Sequence, residues 1–295
     1  MKTRHFSFIS LMLSAPALML LSAPLGVGCG GSSGSGNTTG AGGSGGGGGV
    51  VLNEDDKLSD FEDPAAATIV NAGTPSRNGY WFTYSDESAT CVTMPAKGVT
   101  YVPETPPTPS PYKGGMALHA KWDGCTVWGA GVGADIFQPA APDGGSYEGV
   151  KKNYDLTGAK GITFWAATSP TGDGRLRVKV NMRAETKIAD ACPGCASAAT
   201  RPADATAPPF CDETDPAIGL NKCSDAWGQT FMLPPAGNWI QIKVLFADTA
   251  KFMQESWGHK FDWNPADVTG IQIQSQGTEM DQPFDFWIDD VYILR

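Results

Sequence analysis

Histidine and clusters of basic residues are scarce in this 295-residue sequence. Beyond the first few residues the histidines are His119 and His259, so a histidine-rich zinc site is excluded. A serine–histidine–aspartate triad would have to use one of those two. No run of lysine or arginine offsets the net charge of −10, which reflects 31 acidic and 21 basic residues. A chain this acidic repels nucleic acid, so the sequence excludes a nucleic-acid-binding protein.

Helical periodicity is also rare. Most apolar segments are rich in β-branched and aromatic residues, and glycine, proline, asparagine and aspartate bound them. Strands are predicted at 79–84, 116–122, 127–137, 162–167, 175–182, 239–246, 271–276 and 284–294. A short helix is predicted at 247–255. Many short strands with few helices, and without βαβ alternation, predict an all-β sandwich or barrel.

The segment 175–182 alternates most clearly between apolar and polar residues. The face predicted to be buried consists of Leu176, Val178, Val180 and Met182. The face predicted to lie in water consists of Arg175, Arg177, Lys179 and Asn181.

The start of the chain is typical of an export signal. A positively charged beginning is followed by an apolar run at 6–21 and by small residues that lead into Cys29. Pro16 and Pro24 interrupt the apolar segment, which disfavours a membrane-spanning helix. The small residues resemble a lipobox, although Gly26 stands where that motif carries leucine. This departure leaves the cleavage site open. Lipid is predicted on Cys29.

Residues 30–49 are nearly all glycine, serine and threonine, a composition that predicts a flexible tether. The predicted organisation is a signal at 1–28, a lipidated cysteine with its tether at 29–50, and one β domain at 51–295. Gly30 directly after Cys29 favours the outer membrane or the cell surface as the location. The protein is therefore expected to associate with a membrane through this lipid.

The cysteine count agrees with export. Of seven cysteines, lipid on Cys29 leaves six, an even number that predicts three disulfides in an oxidising compartment. Cys91 is expected to pair with Cys125, because both lie just outside strands of the first half. The other four are expected to pair within a loop-like insertion at 184–226. They are Cys192, Cys195, Cys211 and Cys223.

Two patterns that could indicate an enzyme are weak. Glu279 and Asp281 are spaced like the paired carboxylates of β-sandwich glycosidases, but Pro283 and Phe284 occupy the positions where another acid is expected. The glycines of 129–134 loosely fit a dinucleotide fingerprint, but the segment has the character of a strand. There, glycines would allow bulging or close packing. No catalytic residue is predicted.

Several segments resemble family 11 carbohydrate-binding modules and their relatives in the galactose-binding-like superfamily. The segment 154–166, with the sequence YDLTGAKGITFWA, is similar to a strand of those modules. Similar segments follow the family's order at 58–63, 239–246, 254–258, 268–273 and 286–291. The resemblance covers 58–295 and departs from the family in the cysteine-rich insertion.

This resemblance implies a β-jelly-roll sandwich that binds a polysaccharide or other glycan without cleaving it, often with a structural calcium ion. Because some relatives only mediate protein association, an adhesion or assembly protein remains an alternative. An envelope glycoside hydrolase is the third hypothesis for the function. The calcium ligands expected on the opening and closing strands are Asp60, Glu62, Asp63, Asp289 and Asp290. The alternative for these acids is that they are solvated turn residues.

Sugar rings present an apolar face to aromatic side chains and hydroxyl groups to amides, carboxylates and cations. Such side chains are predicted on strand faces that point away from the core. The candidates are Trp165, Arg177, Lys179, Asn181, Gln272, Gln274, Asp285 and Trp287. They cannot all share one surface if consecutive strands change sheets. The loops around Trp257 and Trp263 are the second candidate location.

Overall fold

A computed structural model describes residues 52–64, 67–69, 77–86, 88–111, 114–137, 151–169, 174–187, 210–234, 236–275 and 283–295. The predicted signal, Cys29 with its tether, and the pair Cys192 and Cys195 lie outside these residues and stay predictions. Within the part that the structure describes, no helix has the length and hydropathy needed to cross a membrane.

The described residues form eleven strands and three short 3-10 turns, with no α-helix among them. The strands are β1 (Lys57–Ser59), β2 (Trp81–Ser85), β3 (Val92–Met94), β4 (Leu118–Asp123), β5 (Ala130–Asp135), β6 (Gly161–Thr168), β7 (Arg175–Met182), β8 (Trp227–Met232), β9 (Ile240–Leu245), β10 (Val268–Ser275) and β11 (Phe284–Leu294). The 3-10 turns are Glu54–Asp56, Arg183–Glu185 and Pro265–Asp267.

Two antiparallel sheets form a sandwich, as predicted. One sheet has the order β3-β4-β11-β6-β9, with β1 also paired to β11, and the other has the order β2-β5-β10-β7-β8. From β4 to β7 each strand lies in a different sheet from the one before it, which is characteristic of a jelly roll. The opening strand β1 pairs with the closing strand β11, with Lys57 opposite Tyr292. The all-β jelly-roll sandwich is therefore confirmed.

The core lies between the two sheets and follows the alternation of the strands. The apolar face of β7, from Leu176 to Met182, is fully buried, as predicted. In β10, Ile271 and Ile273 belong to the same cluster, as do Ile162 and Phe164 of β6 in the other sheet. Each fully buried aliphatic side chain contributes about 1.5–3 kcal/mol to folding.

The helix predicted at 247–255 is wrong. The chain forms turns there, with Phe252 N–H donating to the Asp248 carbonyl at 2.7 Å. Met253 then exchanges two backbone hydrogen bonds with Gly228 of β8, which a helix would not allow. Phe252 is buried in the core, so tertiary packing overrides the local helical preference.

Two predicted features of the cysteines are confirmed. Cys91 is bonded to Cys125, and Cys211 is bonded to Cys223 within the predicted insertion. The first bridge closes a loop of 34 residues and the second a loop of 12 residues. Both therefore restrict the unfolded chain.

Candidate functional site

A groove of about 1050 Å³ lies on the outer face of the five-stranded sheet. The strand register arranges its floor as two rows of residues across β2, β5, β10 and β7. The first row is Phe82, Gly133, Gln272 and Lys179. The second row is Tyr84, Gly131, Gln274 and Arg177. One half of the floor is thus aromatic and the other half is polar and cationic.

The aromatic half depends on the glycines of β5. A Cβ atom at Gly131 would lie 2.5 Å from Tyr84 Oη, and one at Gly133 would lie 2.7 Å from Phe82 Cζ. Because neither glycine has a side chain, both rings can lie across β5. This confirms the prediction that these glycines serve close packing in a strand. The Tyr84 hydroxyl is buried and has no hydrogen-bond partner among the described residues, and this burial raises its pKa.

Trp128 forms part of the rim next to β5. Its ring is 42% exposed and stacks on Tyr84 with a centroid distance of 6.0 Å. One Asp86 carboxylate oxygen accepts hydrogen bonds from the backbone N–H groups of Val127, Trp128 and Gly129 at 2.8–3.1 Å. Burial alone would raise the pKa of Asp86, but these bonds and those from Ser88 lower it to about 2. An ionised carboxylate therefore fixes the loop that presents Trp128.

Trp257 lines the same groove from the side of β8. Its ring is 44% exposed, and its backbone carbonyl accepts a hydrogen bond from Lys222 Nζ at 2.7 Å. The buried Asp225 carboxylate accepts the N–H groups of Glu255 and Gly258 at 2.9 Å and 3.0 Å. The cysteine-rich insertion, through 221–225, thus positions this tryptophan.

Arg177 and Lys179 form the cationic half of the floor and are 4% and 8% exposed. The prediction that they lie in water is therefore wrong. Arg177 donates from its Nη2 to the Met253 carbonyl at 2.5 Å, and its Nε lies 3.4 Å from a Glu255 carboxylate oxygen without hydrogen-bond geometry. These contacts hold the guanidinium group beneath the loop that carries Trp257.

Lys179 Nζ donates to Gln274 Oε1 at 2.5 Å, and Gln274 Nε2 donates to the Trp128 carbonyl at 2.8 Å. Burial lowers the pKa of Lys179 to about 8. Arg177 contributes to this lowering, whereas Glu255 opposes it. The floor of the groove therefore carries an ammonium group whose charge is costly in the absence of a further partner.

The structure brings four predicted ligand residues together in the groove: Arg177, Lys179, Gln272 and Gln274. Asn181 follows on β7 and lines a smaller adjoining pocket with Gln272. The other three candidates, Trp165, Asp285 and Trp287, lie on β6 and β11 of the six-stranded sheet. They do not share a surface with Arg177, because successive strands change sheets.

On that second sheet, Trp287 is 6% exposed and its ring stacks on His119 with a centroid distance of 3.9 Å. Its Nε1 donates to Ser169 Oγ at 3.1 Å. Asp285 pairs with His119 at 2.8 Å. These side chains are committed to one another, which leaves little of Trp287 for a ligand.

Phe82, Tyr84 and Trp128 were not among the predicted ligand residues. For Phe82 and Tyr84 the sequence carried one signal, the alternation of residues along 81–84, whereas their position opposite β5 required the register. Phe82 and Tyr84 alternate with the core residues of β2, opposite the two glycines of β5. Of the two second-choice tryptophans, Trp257 lines the groove, whereas Trp263 packs against Phe246 and Phe252.

The acidic residues considered for calcium occupy different environments. On the opening strand side, Asp60 pairs with Lys57 at 3.1 Å, and Glu62 accepts the backbone N–H groups of Gly115 and Met116 at 3.0 Å and 3.2 Å. Asp63 is exposed. These contacts show ordered acids that already have partners within the protein.

Asp289 is fully buried, and within the described residues its Oδ2 makes no hydrogen bond of good geometry, although the nearby Ser110 hydroxyl lowers its pKa. Burial raises its pKa to about 8, and the nearby charges of Asp290 and Glu62 add to the shift. A buried carboxylate beside two other acids suits a hard cation such as calcium. However, among the described residues only Asp86, Cys91 and Cys125 bring three possible ligand atoms within 4.8 Å of one another, and these cysteines form a disulfide.

No family model and no curated protein matches the chain. Among solved structures, a family 11 carbohydrate-binding module from Clostridium thermocellum, in complex with a β-1,3-1,4-mixed-linked tetrasaccharide, is similar at 12% identity. That match covers 81% of this chain and 94% of the module, with a TM-score of 0.42. The corresponding module of the cellulosomal cellulase Lic26A-Cel5E from the same organism matches at 13% identity, 83% and 95% coverage, and a TM-score of 0.39.

A further match is the K2 cleaved adhesin domain of Lys-gingipain, at 12% identity, with 80% of this chain and 97% of that domain covered and a TM-score of 0.33. These likenesses concern the arrangement of strands in a β-sandwich alone. They do not extend to individual residues of the groove.

Proposed function

We propose that the protein binds a glycan chain in the groove of the five-stranded sheet without cleaving it. The observation that carries this proposal is the pairing of two half-exposed tryptophans, Trp128 and Trp257, with a floor of fixed polar groups. Aromatic faces stack on the apolar C–H faces of sugar rings, and amides and cations bind the hydroxyl groups. A groove of about 1050 Å³ is large enough for several linked sugar units.

The carboxylates in and beside the groove support binding rather than hydrolysis. A glycoside hydrolase needs two carboxyl groups free to flank the bond that is cleaved. Asp86 is committed to backbone N–H groups and Glu255 lies against Arg177. Burial raises the pKa of Glu185 to about 8, but its two oxygens accept the N–H groups of Met182 and Trp227. The hydrolase alternative from Glu279 and Asp281 lies outside the described residues.

The test is retention of the purified full chain, in detergent, on a glycan array and in gels that contain polysaccharide. Trp128→Ala and Trp257→Ala should each weaken retention about tenfold or more, since stacking on an aromatic ring contributes much of such an interaction. Trp239→Ala is the matched control, because Trp239 bonds to the Thr108 carbonyl away from the groove. Equal retention by all three variants would place the site elsewhere, and retention of a protein partner alone would favour the adhesion alternative.

The location is a second part of the proposal. We propose that the protein is exported and held in a membrane by lipid on Cys29, with 30–49 as a flexible tether. A tether of about 20 glycine-rich residues has a root-mean-square reach of roughly 25 Å. This distance would let the groove meet glycans beyond the lipid headgroups, at the outer membrane or cell surface.

A further inference from the structure

We infer that the groove selects an anionic polysaccharide, one that carries carboxylate or sulfate groups along its chain. This inference rests on the proposed glycan binding and adds the chemical class of the ligand. It starts from a difference in charge between the groove and the whole protein, whose net charge is −10.

Cations outnumber acids in the lining of the groove. Its two acids are Asp86 and Glu255. Its five cations are Lys97, Lys151, Arg177, Lys179 and Lys187. Five cations less two acids give the lining residues a formal charge of +3, and counting Asp135 and Glu213, the ion-pair partners of Lys151 and Lys187, reduces it to +1. The groove therefore has a small positive charge, centred on Arg177 and Lys179, in a protein that is negative as a whole, and such a surface favours an anionic ligand.

The acids of the groove are already engaged, so they do not repel a ligand freely. Asp86 is surrounded by backbone N–H groups of its own loop. Glu255 lies 3.4 Å from Arg177 Nε. Lys151 and Lys187 pair with acids that do not line the groove, Asp135 at 2.9 Å and Glu213 at 3.2 Å.

Lys179 lies in the middle of the polar half and differs from the other cations. Its one hydrogen bond within the described residues goes to the neutral amide of Gln274, and no carboxylate there lies within ion-pair distance of its Nζ. Glu255, Asp225 and Glu185 lie farther off and raise the pKa of Lys179, but burial outweighs them and lowers it to about 8, so the ammonium group is only partly compensated. A carboxylate or sulfate on the ligand would provide the missing partner at hydrogen-bond distance.

A neutral glycan would satisfy Lys179 less well. A hydroxyl group could accept its hydrogen bond but would add no counter-charge at hydrogen-bond distance from this largely buried ammonium group. A free inorganic anion could pair with the ammonium group, but it would not use Trp128 and Trp257. The combination of aromatic rim and cationic floor fits an anion that is attached to sugar rings.

The experiment compares polymers that differ only in charge, in affinity gels with the full chain. Polygalacturonate is paired with its highly methyl-esterified form, and dextran sulfate is paired with dextran. We expect at least tenfold stronger retention by the anionic member of one pair, and the pair that responds identifies carboxylate or sulfate. Because the protein is itself strongly acidic, non-specific attraction to an anionic polymer does not produce this result.

Lys179→Met should reduce retention by that polymer about tenfold or more, since it removes a charge-assisted hydrogen bond. Lys179→Arg should retain part of the preference. Lys243→Met is the matched control, because Lys243 is exposed on β9 of the other sheet and its loss changes the net charge equally. Inorganic phosphate at millimolar concentration should not displace the polymer.

Equal retention by the charged and neutral members of both pairs would overturn the inference while glycan binding stands. Equal losses in Lys179→Met and Lys243→Met would overturn it as well, since the effect would then follow net charge. Retention by none of the four polymers, nor by any glycan on the array, would overturn the proposed function itself. The comparison of polymers uses the unmodified chain, so it holds even if a variant fails to fold.

Discussion

Arg177 and Lys179 illustrate how charged side chains on an alternating strand become buried. The alternation places them correctly on the face opposite the core, but the residues that cover them lie 76 and 95 positions away in the sequence, at Met253 and Gln274. Local periodicity determines the face of the strand on which a side chain lies, whereas residues distant in the sequence determine whether that side chain is buried. The sequence could therefore predict the face but not the burial.

His119 provides a pH-dependent contact on the other sheet. Its Nδ1 lies 3.0 Å from Glu104 and its Nε2 lies 2.8 Å from Asp285, so both ring nitrogens can donate only when the imidazole is protonated. Burial disfavours the charged ring, but the hydrogen bonds to Asp285 and Glu104 outweigh it and raise the pKa of His119 above 6.5.

A group whose folded-state pKa is raised stabilises the fold below its unfolded pKa and loses that effect as pH rises through the folded value. Asp285 must also be ionised, so the full contribution is expected between about pH 4 and pH 6.5. His119→Gln should therefore cost about 1 kcal/mol of unfolding free energy at pH 5.5 and much less at pH 9. Urea titrations at both pH values measure this, with His259→Gln as the control. The same loss at both pH values would contradict the prediction.

Asp289 carries the calcium prediction. A bound cation would compensate the buried carboxylate and its acidic neighbours Asp290 and Glu62. Calcium at 100 times its dissociation constant would stabilise the fold by about 2.7 kcal/mol. The unfolding midpoint should rise with calcium and fall with chelator, and Asp289→Asn should remove the response. Asp123→Asn, an exposed surface change, should keep it. An unfolding midpoint that does not change with calcium or chelator would favour the alternative that these acidic residues bind no metal.

Among the strands, the prediction was most accurate for two of the longest. β7 and β11 have the predicted bounds, 175–182 and 284–294. β8 was missed because Trp227–Met232 does not alternate and contains Gly228. That glycine lies against the β7 backbone, where a Cβ would meet the Val178 carbonyl oxygen at 2.4 Å. This close contact between two backbones depends on the tertiary structure, and no local sequence pattern indicates it.

The pairing of β2 with β5 leads to a prediction about the groove floor. Gly131→Ala would place a methyl group 2.5 Å from Tyr84 Oη and 2.6 Å from the Ile273 carbonyl oxygen, which belongs to the backbone and cannot rotate away. Overpacking of this kind costs about 1–3 kcal/mol, and the displaced ring should also weaken glycan retention.

Gly115→Ala is the control for that change, because a Cβ at Gly115 has no atom within 4 Å. Denaturant unfolding and affinity gels should separate the two variants clearly. If Gly131→Ala had the stability and retention of Gly115→Ala, the aromatic half of the floor would not depend on the glycines of β5.

The jelly-roll topology explains why the candidate site was only partly predictable. Arg177 and Trp287 both lie on strand faces that point away from the core, but they belong to different sheets. The order of strands in the sequence does not show which sheet each strand joins. Residues that were all predicted to point away from the core are therefore divided between the outer surfaces of two sheets. The groove became visible only when the register aligned Phe82 and Tyr84 with Lys179 and Arg177.

Attachment of the protein to a membrane is predicted to depend on Cys29. If Cys29 carries lipid, Cys29→Ala should leave the protein in the soluble fraction of the exporting cell, or with its signal uncleaved. Metabolic labelling with a fatty-acid analogue, followed by fractionation, measures both effects, and Ser32→Ala in the tether is the matched control. A Cys29→Ala protein that is processed and fractionated like its parent would contradict lipid attachment. The protein would then be released from the membrane, and glycan binding in the groove would be what holds the protein at a surface.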